Sequence, residues 1–346
     1  MRINNRVLNG FKCLTLATTI LTSPITLGVE AVSAPKTNTY SSISFSIEND
    51  GIVQTDQNYT NGIFLSYSSA VTRQLSGDAP LPISTIASWL PLDSNAWQGW
   101  RLNLGQQMWT PSDITYEEPQ PNERPYAGLL FFDIGVFQYT ESKADKLTFR
   151  FGTVGPNSLA ENAQVLVHYL TPSTEPQGWE YQIENQIIAN LNYEGHRLLS
   201  RNPSINDKSW EWSAIGRIDA GNYRSEAAIG SILRWGNQLS ETFGSAGFTP
   251  NQITDISLLS ASRSGYFLYA GIEGRYRFND ITIEGDKPAE VYDVSLQHWQ
   301  ATAVAGAVLY RSNWGFSLSM AAKTKNYKED TLDVNAYGAF KVFYRY

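Results

Sequence analysis

The chain carries few side chains that could move a proton near neutral pH. Its 346 residues include three histidines, His168, His196 and His298, and a single cysteine, Cys13. Histidine ordinarily titrates near neutrality, so one of the three is the natural candidate for a general base. Cys13 alone cannot build a disulfide framework or a cysteine-based metal site. Any chemistry is therefore predicted to depend on histidine and on oxygen-bearing side chains.

A second candidate for chemistry is a stretch rich in oxygen ligands. Residues 48–62 read Glu-Asn-Asp-Gly-Ile-Val-Gln-Thr-Asp-Gln-Asn-Tyr-Thr-Asn-Gly. Carboxylate and amide oxygens are the ligands that Ca²⁺ prefers. The stretch lacks the alternating ligand spacing and the terminal glutamate of an EF-hand. It is either a Ca²⁺ site of another type or an ordinary hydrated loop with a glycine turn, and the residues alone leave both open.

His168 lies on the one segment with a helical pattern, residues 157–171, which Pro172 ends. Ser158 to Glu161 has the form of a capping box. The apolar residues share one face of this helix: Leu159, Ala163, Leu166 and Leu170. The polar residues share the opposite face: Glu161, Gln164 and His168. We expect the leucine side to dock on the protein and His168 to project sideways, although an amphipathic lid with an exposed His168 fits the same spacing.

Most of the remaining chain alternates apolar and polar residues, which predicts β-strands. In 41–47, for example, Ile43, Phe45 and Ile47 share one face and serines the other. About twelve such segments occur, near 40–47, 61–72, 100–109, 127–139, 146–154, 180–193, 209–220, 223–235, 264–277, 297–311, 314–323 and 336–346. Their polar faces hold Gly, Ser, Gln and Asn with isolated charges, which is typical of a narrow barrel lumen.

Composition points to the same class of protein. Charged residues are 17% and aromatic residues 13% of the chain, and the net charge of −7 argues against a nucleic-acid binder. No apolar run after residue 34 is long enough for a membrane-spanning helix, so a membrane protein of this composition must be a closed barrel. The predicted fold is all-β: a transmembrane antiparallel β-barrel of about 12 strands with one short helix in an extracellular loop.

Residues 1–34 read as a signal peptide, with Arg2, Arg6 and Lys12 before an apolar stretch and small residues at Ala31 to Ala34. A membrane-anchoring helix is the weaker alternative. Residues 35–346 are predicted to form a single outer-membrane β-barrel domain.

Strand parity assigns the connections to the two ends of the barrel. If the first strand runs outward, 48–60, 110–126 and 155–179 lie at the extracellular rim. The connections 73–99 and 236–263 then lie on the periplasmic side, where such length is unusual. His196 falls in a periplasmic turn, His298 lies beneath the outer rim, and only His168 lies above it.

An ordered series of short motifs resembles the outer-membrane lipid A 3′-O-deacylases (LpxR-like proteins). The motifs are Ile47 to Asp50, Asn58 to Tyr67, Trp109 to Ser112, Glu123 to Gly128, Gly155-Pro156, His168, Gly178-Trp179, Gln182 to Asn185 and, more weakly, Tyr292 to Val294. The resemblance implies a twelve-stranded barrel with a calcium-dependent site at the outer rim, between the wall and a loop helix. It also implies hydrolysis of the ester that carries the 3′-linked acyloxyacyl group of lipid A.

Carried over residue by residue, the resemblance implies roles for Asn49, Asp50, Thr60 and His168. The catalytic glutamate of the family would fall at Thr174, and Glu175 stands one place later. The segment 73–99 is longer than the corresponding connection of the family.

These residues lead to one mechanistic hypothesis. His168 would activate a water, while Ca²⁺ held by Asp50 would stabilise the oxyanion and Asn49 and Thr60 would orient the water, ester or metal. Arg124 would either bind a phosphate of the substrate or bridge loops. The expected partners are lipid A or lipopolysaccharide and outer-membrane lipids, not nucleic acid, with the protein a monomer.

Two other classes of function remain open on the sequence. One is a non-enzymatic barrel, either a small pore or a structural protein with a helical lid. The other is an inactive relative of the deacylases, because the glutamate is displaced. A serine mechanism at Ser66 or Ser68 is disfavoured, since the chain has no Gly-x-Ser-x-Gly elbow.

Overall fold

Twelve antiparallel strands form a closed barrel in the computed structural model, which describes residues 39–50, 58–75, 79–170, 174–203 and 206–346. The strands are β1 (Ser42–Asn49), β2 (Asn58–Ser68), β3 (Trp97–Thr110), β4 (Ala127–Tyr139), β5 (Lys143–Val154), β6 (Gln186–Arg201), β7 (Ser209–Gly221), β8 (Arg224–Gly236), β9 (Ser264–Asp280), β10 (Trp299–Arg311), β11 (Trp314–Thr324) and β12 (Val334–Arg345). Each strand pairs with its neighbours in sequence, and β1 also pairs with β12. The predicted fold is confirmed. The predicted signal peptide lies outside the described residues.

The two faces of the wall follow the alternation in the sequence. On β1, Ile43, Phe45 and Ile47 are exposed while Ser44 and Ser46 are buried. Apolar residues therefore cover the outside and small polar residues face the lumen, the arrangement that a bilayer requires of a barrel. None of the described helices is long and apolar enough to cross a membrane.

The described parts of the connections contain three short α-helices: α1 (Leu81–Ala87), α2 (Ala160–Leu170) and α3 (Ile281–Glu284). The helix α2 is the one that the sequence predicted. It lies at the end of the barrel that we predict to be extracellular, called the outer rim below, and α1 lies at the opposite, inner end. The apolar side of α1, with Ile83 and Ile86, packs against Val136 and Leu147 of the wall. This packing accounts for the length of the inner connection 69–96.

The inner connection between β8 and β9, residues 237–263, fills part of the lumen and is called the plug below. Most of its side chains are buried. Asp255 accepts a hydrogen bond from Arg101 at 2.8 Å and lies 3.0 Å from the Lys146 ammonium. Lys341 of β12 donates to the carbonyls of Asn251 and, at 2.8 Å, Thr254. These contacts attach the plug to β3, β5 and β12, so its unusual length serves to close the barrel interior.

Candidate active site at the outer rim

The ends of β1, β2 and β3 bring two predicted site residues together. Asn49 Nδ2 donates to the Thr60 carbonyl at 2.9 Å, and the hydroxyls of Thr60 and Thr110 lie 2.8 Å apart. The pairing of β2 with β3 is irregular between Tyr59 and Asn61, which places Thr60 at a bulge. Bulges re-aim a side chain out of the regular ladder. Thr110 was not singled out from the sequence, although it lies in one of the motifs quoted above.

A buried polar cluster supports these residues from the lumen side. Tyr59 donates to Glu48 Oε2 at 2.7 Å, and Gln107 Nε2 donates to the Tyr59 hydroxyl at 3.0 Å. Asn251 of the plug donates its backbone N–H to the other oxygen of Glu48. The cluster therefore joins β1, β2, β3 and the plug directly beneath Asn49.

Asp50 immediately follows β1 and is only 2% exposed. Most of the oxygen-rich stretch, residues 51–57, lies outside the described residues. In the described part of the chain, no three His, Cys, Asp or Glu side chains cluster closely enough to hold a metal. The amide oxygens of Asn58 and Asn61 are buried and lack a hydrogen-bond donor among the described residues. Buried carboxylate and amide oxygens are donors of the type that a hard cation such as Ca²⁺ prefers.

His168 lies in the last turn of α2, partly exposed, with its ring held by a backbone contact. Its Nδ1 lies 2.5 Å from the Thr174 carbonyl oxygen. Because a carbonyl oxygen only accepts, Nδ1 is the donor in this contact, and in the neutral ring the lone pair is then on Nε2. Position 174 is where the family glutamate was expected, and Thr174 contributes a main-chain atom there. Glu175 is exposed.

The prediction that the leucine side of α2 docks on the protein was wrong. Leu159 and Leu166 are 55% and 59% exposed, whereas Gln164 is 2% exposed and its Oε1 accepts from Trp179 Nε1 at 2.7 Å. The helix also begins later than predicted, at Ala160. Leu159 has a left-handed backbone with φ of 58°, which separates a short 3₁₀ turn from α2.

The reason for this orientation is a close approach between α2 and the wall. A Cβ added at Gly128 would lie 2.0 Å from Ser158 Oγ and 2.5 Å from Ala160 Cβ. Only small residues fit at this contact, so the alanine side of α2 faces β4 and the leucine side faces away. An apolar face turned outward costs little where the surroundings are lipid rather than water.

Two outer connections pack together beneath α2. Met108, Ile114, Tyr126, Ala160 and Trp179 form one buried apolar cluster. The rings of Tyr126 and Trp179 lie 4.8 Å apart, centroid to centroid. Trp179 belongs to one of the motifs quoted above, but the sequence pattern predicts no role for it. Its indole holds Gln164, and through Gln164 it positions the helix that carries His168.

Arg124 is buried and bridges outer connections. Its Nη2 donates to the carbonyl and the hydroxyl of Thr282 on α3, at 3.0 and 3.2 Å. Burial lowers the pKa of Arg124 to about 10, so the guanidinium remains charged at neutral pH. Its Nε has no acceptor among the described residues. Arg124 therefore bridges two outer connections, and its Nε–H remains available to a ligand.

The other two histidines are engaged elsewhere. His196 lies within β6 rather than in a turn, because β6 extends to Arg201, beyond the predicted end at 193. Its Nε2 lies 2.7 Å from buried Glu194. His298 Nδ1 lies 2.7 Å from the Arg277 carbonyl, and its ring stacks on Tyr276. His168 is thus the histidine whose surroundings best suit a general base.

Comparison with known proteins identifies relatives of the whole barrel. The family model described as "Outer membrane protein LpxR" matches residues 14–346. Among solved structures, LpxR from Salmonella typhimurium is similar with a TM-score of 0.74 and 18% sequence identity, over 88% of this chain and 99% of that one. At this identity the likeness shows the fold alone.

Two autotransporter barrels are more distant. The β domain of the Bordetella autotransporter BrkA has a TM-score of 0.41 and 10% identity, over 89% of this chain and 99% of that one. The translocator domain of NalP from Neisseria meningitidis has a TM-score of 0.35 and 11% identity, over 89% of each chain. These scores carry no argument about function. No curated protein sequence matches the chain.

Proposed function

Because the chain belongs to the LpxR family of outer-membrane proteins, we propose that it is an esterase that hydrolyses the 3′-linked acyloxyacyl ester of lipid A. The observation that supports this most is the oriented imidazole of His168 on α2 at the outer rim. A ring with a protonated Nδ1 and an unprotonated Nε2 is the form that a general base needs.

In the proposed reaction, His168 Nε2 takes a proton from a water whose oxygen attacks the ester carbonyl carbon. The tetrahedral intermediate then collapses, and the bond between the carbonyl carbon and the 3′ oxygen breaks. The imidazolium returns the proton to that oxygen, which leaves as the sugar hydroxyl. The other product is the free acyloxyacyl carboxylic acid, so the balance is one water for one ester.

Asn49 and Thr60 orient the water or the ester in this proposal, because the Asn49 amide fixes the Thr60 bulge. Asp50, with amide oxygens of Asn58 or Asn61, would hold the Ca²⁺. When bound, that ion supplies positive charge near the ester oxygen. The Thr174 carbonyl positions His168, so we assign Glu175 only a supporting charge at the surface.

The substrate is proposed to approach from the outer leaflet of the membrane. The exposed face of α2, with Leu159 and Leu166, offers an apolar surface to acyl chains. Arg124 retains one donor toward a phosphate of lipid A. The protein works as a monomer among outer-membrane lipids in this proposal.

Mass spectrometry of lipid A from cells that express the protein tests the activity. We expect the loss of one acyloxyacyl group with the wild type, no loss with Asp50→Asn, and no loss when Ca²⁺ is chelated during incubation of isolated membranes. Asp113→Asn is the matched control, because this exposed carboxylate serves only to bond Thr115 in an outer connection. Unchanged lipid A with the folded wild type would contradict the proposal and favour an inactive relative.

A structural barrel is the second candidate, and the plug favours it over a pore. The plug contacts β3, β5 and β12 through buried ion pairs and hydrogen bonds. A lumen closed in this way suits a scaffold better than a channel.

A further inference from the structure

The outer half of the lumen contains a cavity bordered by basic side chains, called the cationic chamber below. Its volume is about 60 Å³, enough for one small anion or a few waters. Five cationic and two acidic side chains line it: Arg150, Arg217, Arg224, Arg275, Lys323, Asp219 and Glu226. The tip of the plug, residues 248–252, also borders the chamber and separates it from the inner end.

Buried carboxylates in and around the chamber neutralise most of the arginines. The pairs are Arg150–Asp133 at 2.7 Å, Arg217–Glu226 at 2.6 Å, Arg217–Glu273 at 3.0 Å, Arg224–Asp280 at 2.8 Å and Arg275–Glu273 at 3.1 Å. Arg217 also contacts Asp219. With Arg277, which shares Glu226 and Asp280, five arginines and Lys323 lie near five carboxylates, so one basic group remains in excess.

Two donors on the chamber wall lack an acceptor in the described part of the chain. The buried Nε of Arg217 has no hydrogen-bond partner there. Lys323 has no carboxylate within 4.0 Å among the described residues, and its ammonium instead lies over the rings of Tyr59 and Tyr337, at 5.2 and 4.6 Å. Charges in a low-dielectric interior are costly without compensation, so these groups indicate a site for an anion.

The chamber adjoins the outer rim. A second, smaller cavity of about 20 Å³ is lined by Arg124, Arg277, Asp280 and Thr282 near the rim. The two cavities share Gln107, Arg224, Pro250 and Lys323. The two cavities are therefore adjacent, and basic side chains line both.

We infer that the cationic chamber binds a phosphate-type oxyanion, with Lys323 and Arg217 among its donors. Phosphate oxygens accept several charge-assisted hydrogen bonds at once, and guanidinium groups match their geometry. The inference does not rest on deacylase activity. The phosphate group could belong to the free ion or to a lipid headgroup reaching inward from the rim, and the experiment separates these sources.

Titration calorimetry of the folded, detergent-solubilised barrel with inorganic phosphate, in low-chloride buffer, tests the inference. We expect saturable binding at one site per chain. Loss of one charge-assisted contact in Lys323→Gln should weaken binding about tenfold. Lys323→Arg should retain it. Lys325→Gln is the matched control, since Lys325 lies two residues away, outside the chamber, and pairs with exposed Asp333 at 3.5 Å.

A second arm uses detergent micelles that contain phosphatidic acid in place of the free ion. Binding that depends on Lys323 in this arm alone assigns the site to a headgroup phosphate, and binding of inorganic phosphate assigns it to the free ion. Absence of saturable binding in both arms overturns the inference, as does equal binding by Lys323→Gln and Lys325→Gln. If Lys323→Gln does not fold, the two wild-type arms decide: saturable binding in either supports the site.

Discussion

At the scale of single residues, the proposed chemistry depends on which atom of each side chain is engaged. The Thr174 carbonyl holds Nδ1 of His168, so the orientation of the base comes from the main chain. The neighbouring carboxylate of Glu175 is exposed. This arrangement provides the orienting hydrogen bond that a displaced glutamate would otherwise be needed to supply.

The first prediction concerns His168 itself. Without the imidazole, the water loses its general base, so His168→Ala should slow hydrolysis by about 10²–10⁴-fold. The rate is measured on purified lipid A in mixed micelles with Ca²⁺ present. Tyr169→Ala serves as the control, because Tyr169 is adjacent and 83% exposed, and it should stay near the wild-type rate. Near-parental hydrolysis by folded His168→Ala would exclude this residue as the base.

The second prediction separates Glu175 from Thr174. Both Glu175→Gln and Thr174→Ala keep the carbonyl that contacts His168, so each should retain activity within about threefold, as for surface changes that remove no buried partner. The same micelle assay measures the rates. A loss with Glu175→Gln as large as that of His168→Ala would show that the carboxylate acts directly and would refute positioning by the main chain.

At the scale of elements, the site depends on how closely α2 approaches β4. The helix contacts the wall through Ala160, which lies opposite Gly128. Gln164, which accepts a hydrogen bond from the Trp179 indole, lies on the same side of the helix. The position of His168 relative to the strand ends is therefore set by a contact about two turns away. A shift of the helix would misplace the base without opening the barrel.

The third prediction tests this contact. In Gly128→Ala, the new methyl group would overlap Ser158 and Ala160, so α2 should move outward. Because a displacement near 1 Å can cost about 10²-fold, we expect hydrolysis to fall by at least about tenfold. Gly216→Ala is the matched control, since a Cβ there meets nothing within 4 Å. Both variants should keep the heat-modifiable mobility of a folded barrel in gel electrophoresis.

Equal activity of the two glycine variants would mean that the close contact does not position His168. The helix would then owe its place to Trp179 and Gln164 alone.

At the scale of the whole molecule, the plug both fills the lumen and adds buried charge pairs to the wall. Asp255 compensates Arg101 and Lys146, each with little exposure. Removal of one partner from such a group leaves buried charge uncompensated, at a cost of about 3–5 kcal/mol. The stability of the barrel should therefore be sensitive to this inner connection.

The fourth prediction follows from that sensitivity. Asp255→Asn should lower the temperature at which the folded barrel loses its heat-modifiable mobility, because Arg101 and Lys146 lose their shared carboxylate. Asp207→Asn, in an exposed inner connection, should leave this temperature unchanged.

In planar bilayers the wild type should show no steady conductance. Large conductance steps of the wild type would contradict a closed lumen.

The barrel could be predicted from the sequence because its signal is repeated. One alternating strand is ambiguous, but the pattern at β1 recurs along the chain, and an even count of antiparallel strands closes on itself. The same parity placed 110–126 and 155–179 at one end of the barrel and the two long connections at the other, as the strand order shows.

Other features depend on contacts that no local pattern reports. The sequence of the plug shows no helical or strand periodicity. Its position depends on long-range contacts, such as those of Asp255 with Arg101 and Lys146 on distant strands. Helical spacing predicts that the leucines of α2 turn inward, but the close contact of Ala160 with Gly128 turns them outward. The orienting group for His168 is a main-chain carbonyl, and a backbone atom has no signature in the sequence.

The pairing of β1 with β12 has a consequence for biogenesis. Asn49 and Asp50 lie on and just after the first strand, at the seam that the last strand closes. Because β12 is the last strand, β1 can pair with it only after the whole chain has been synthesised. Unassembled polypeptide in transit would therefore hold the proposed catalytic groups apart, and ester hydrolysis would begin only once insertion has joined the two ends.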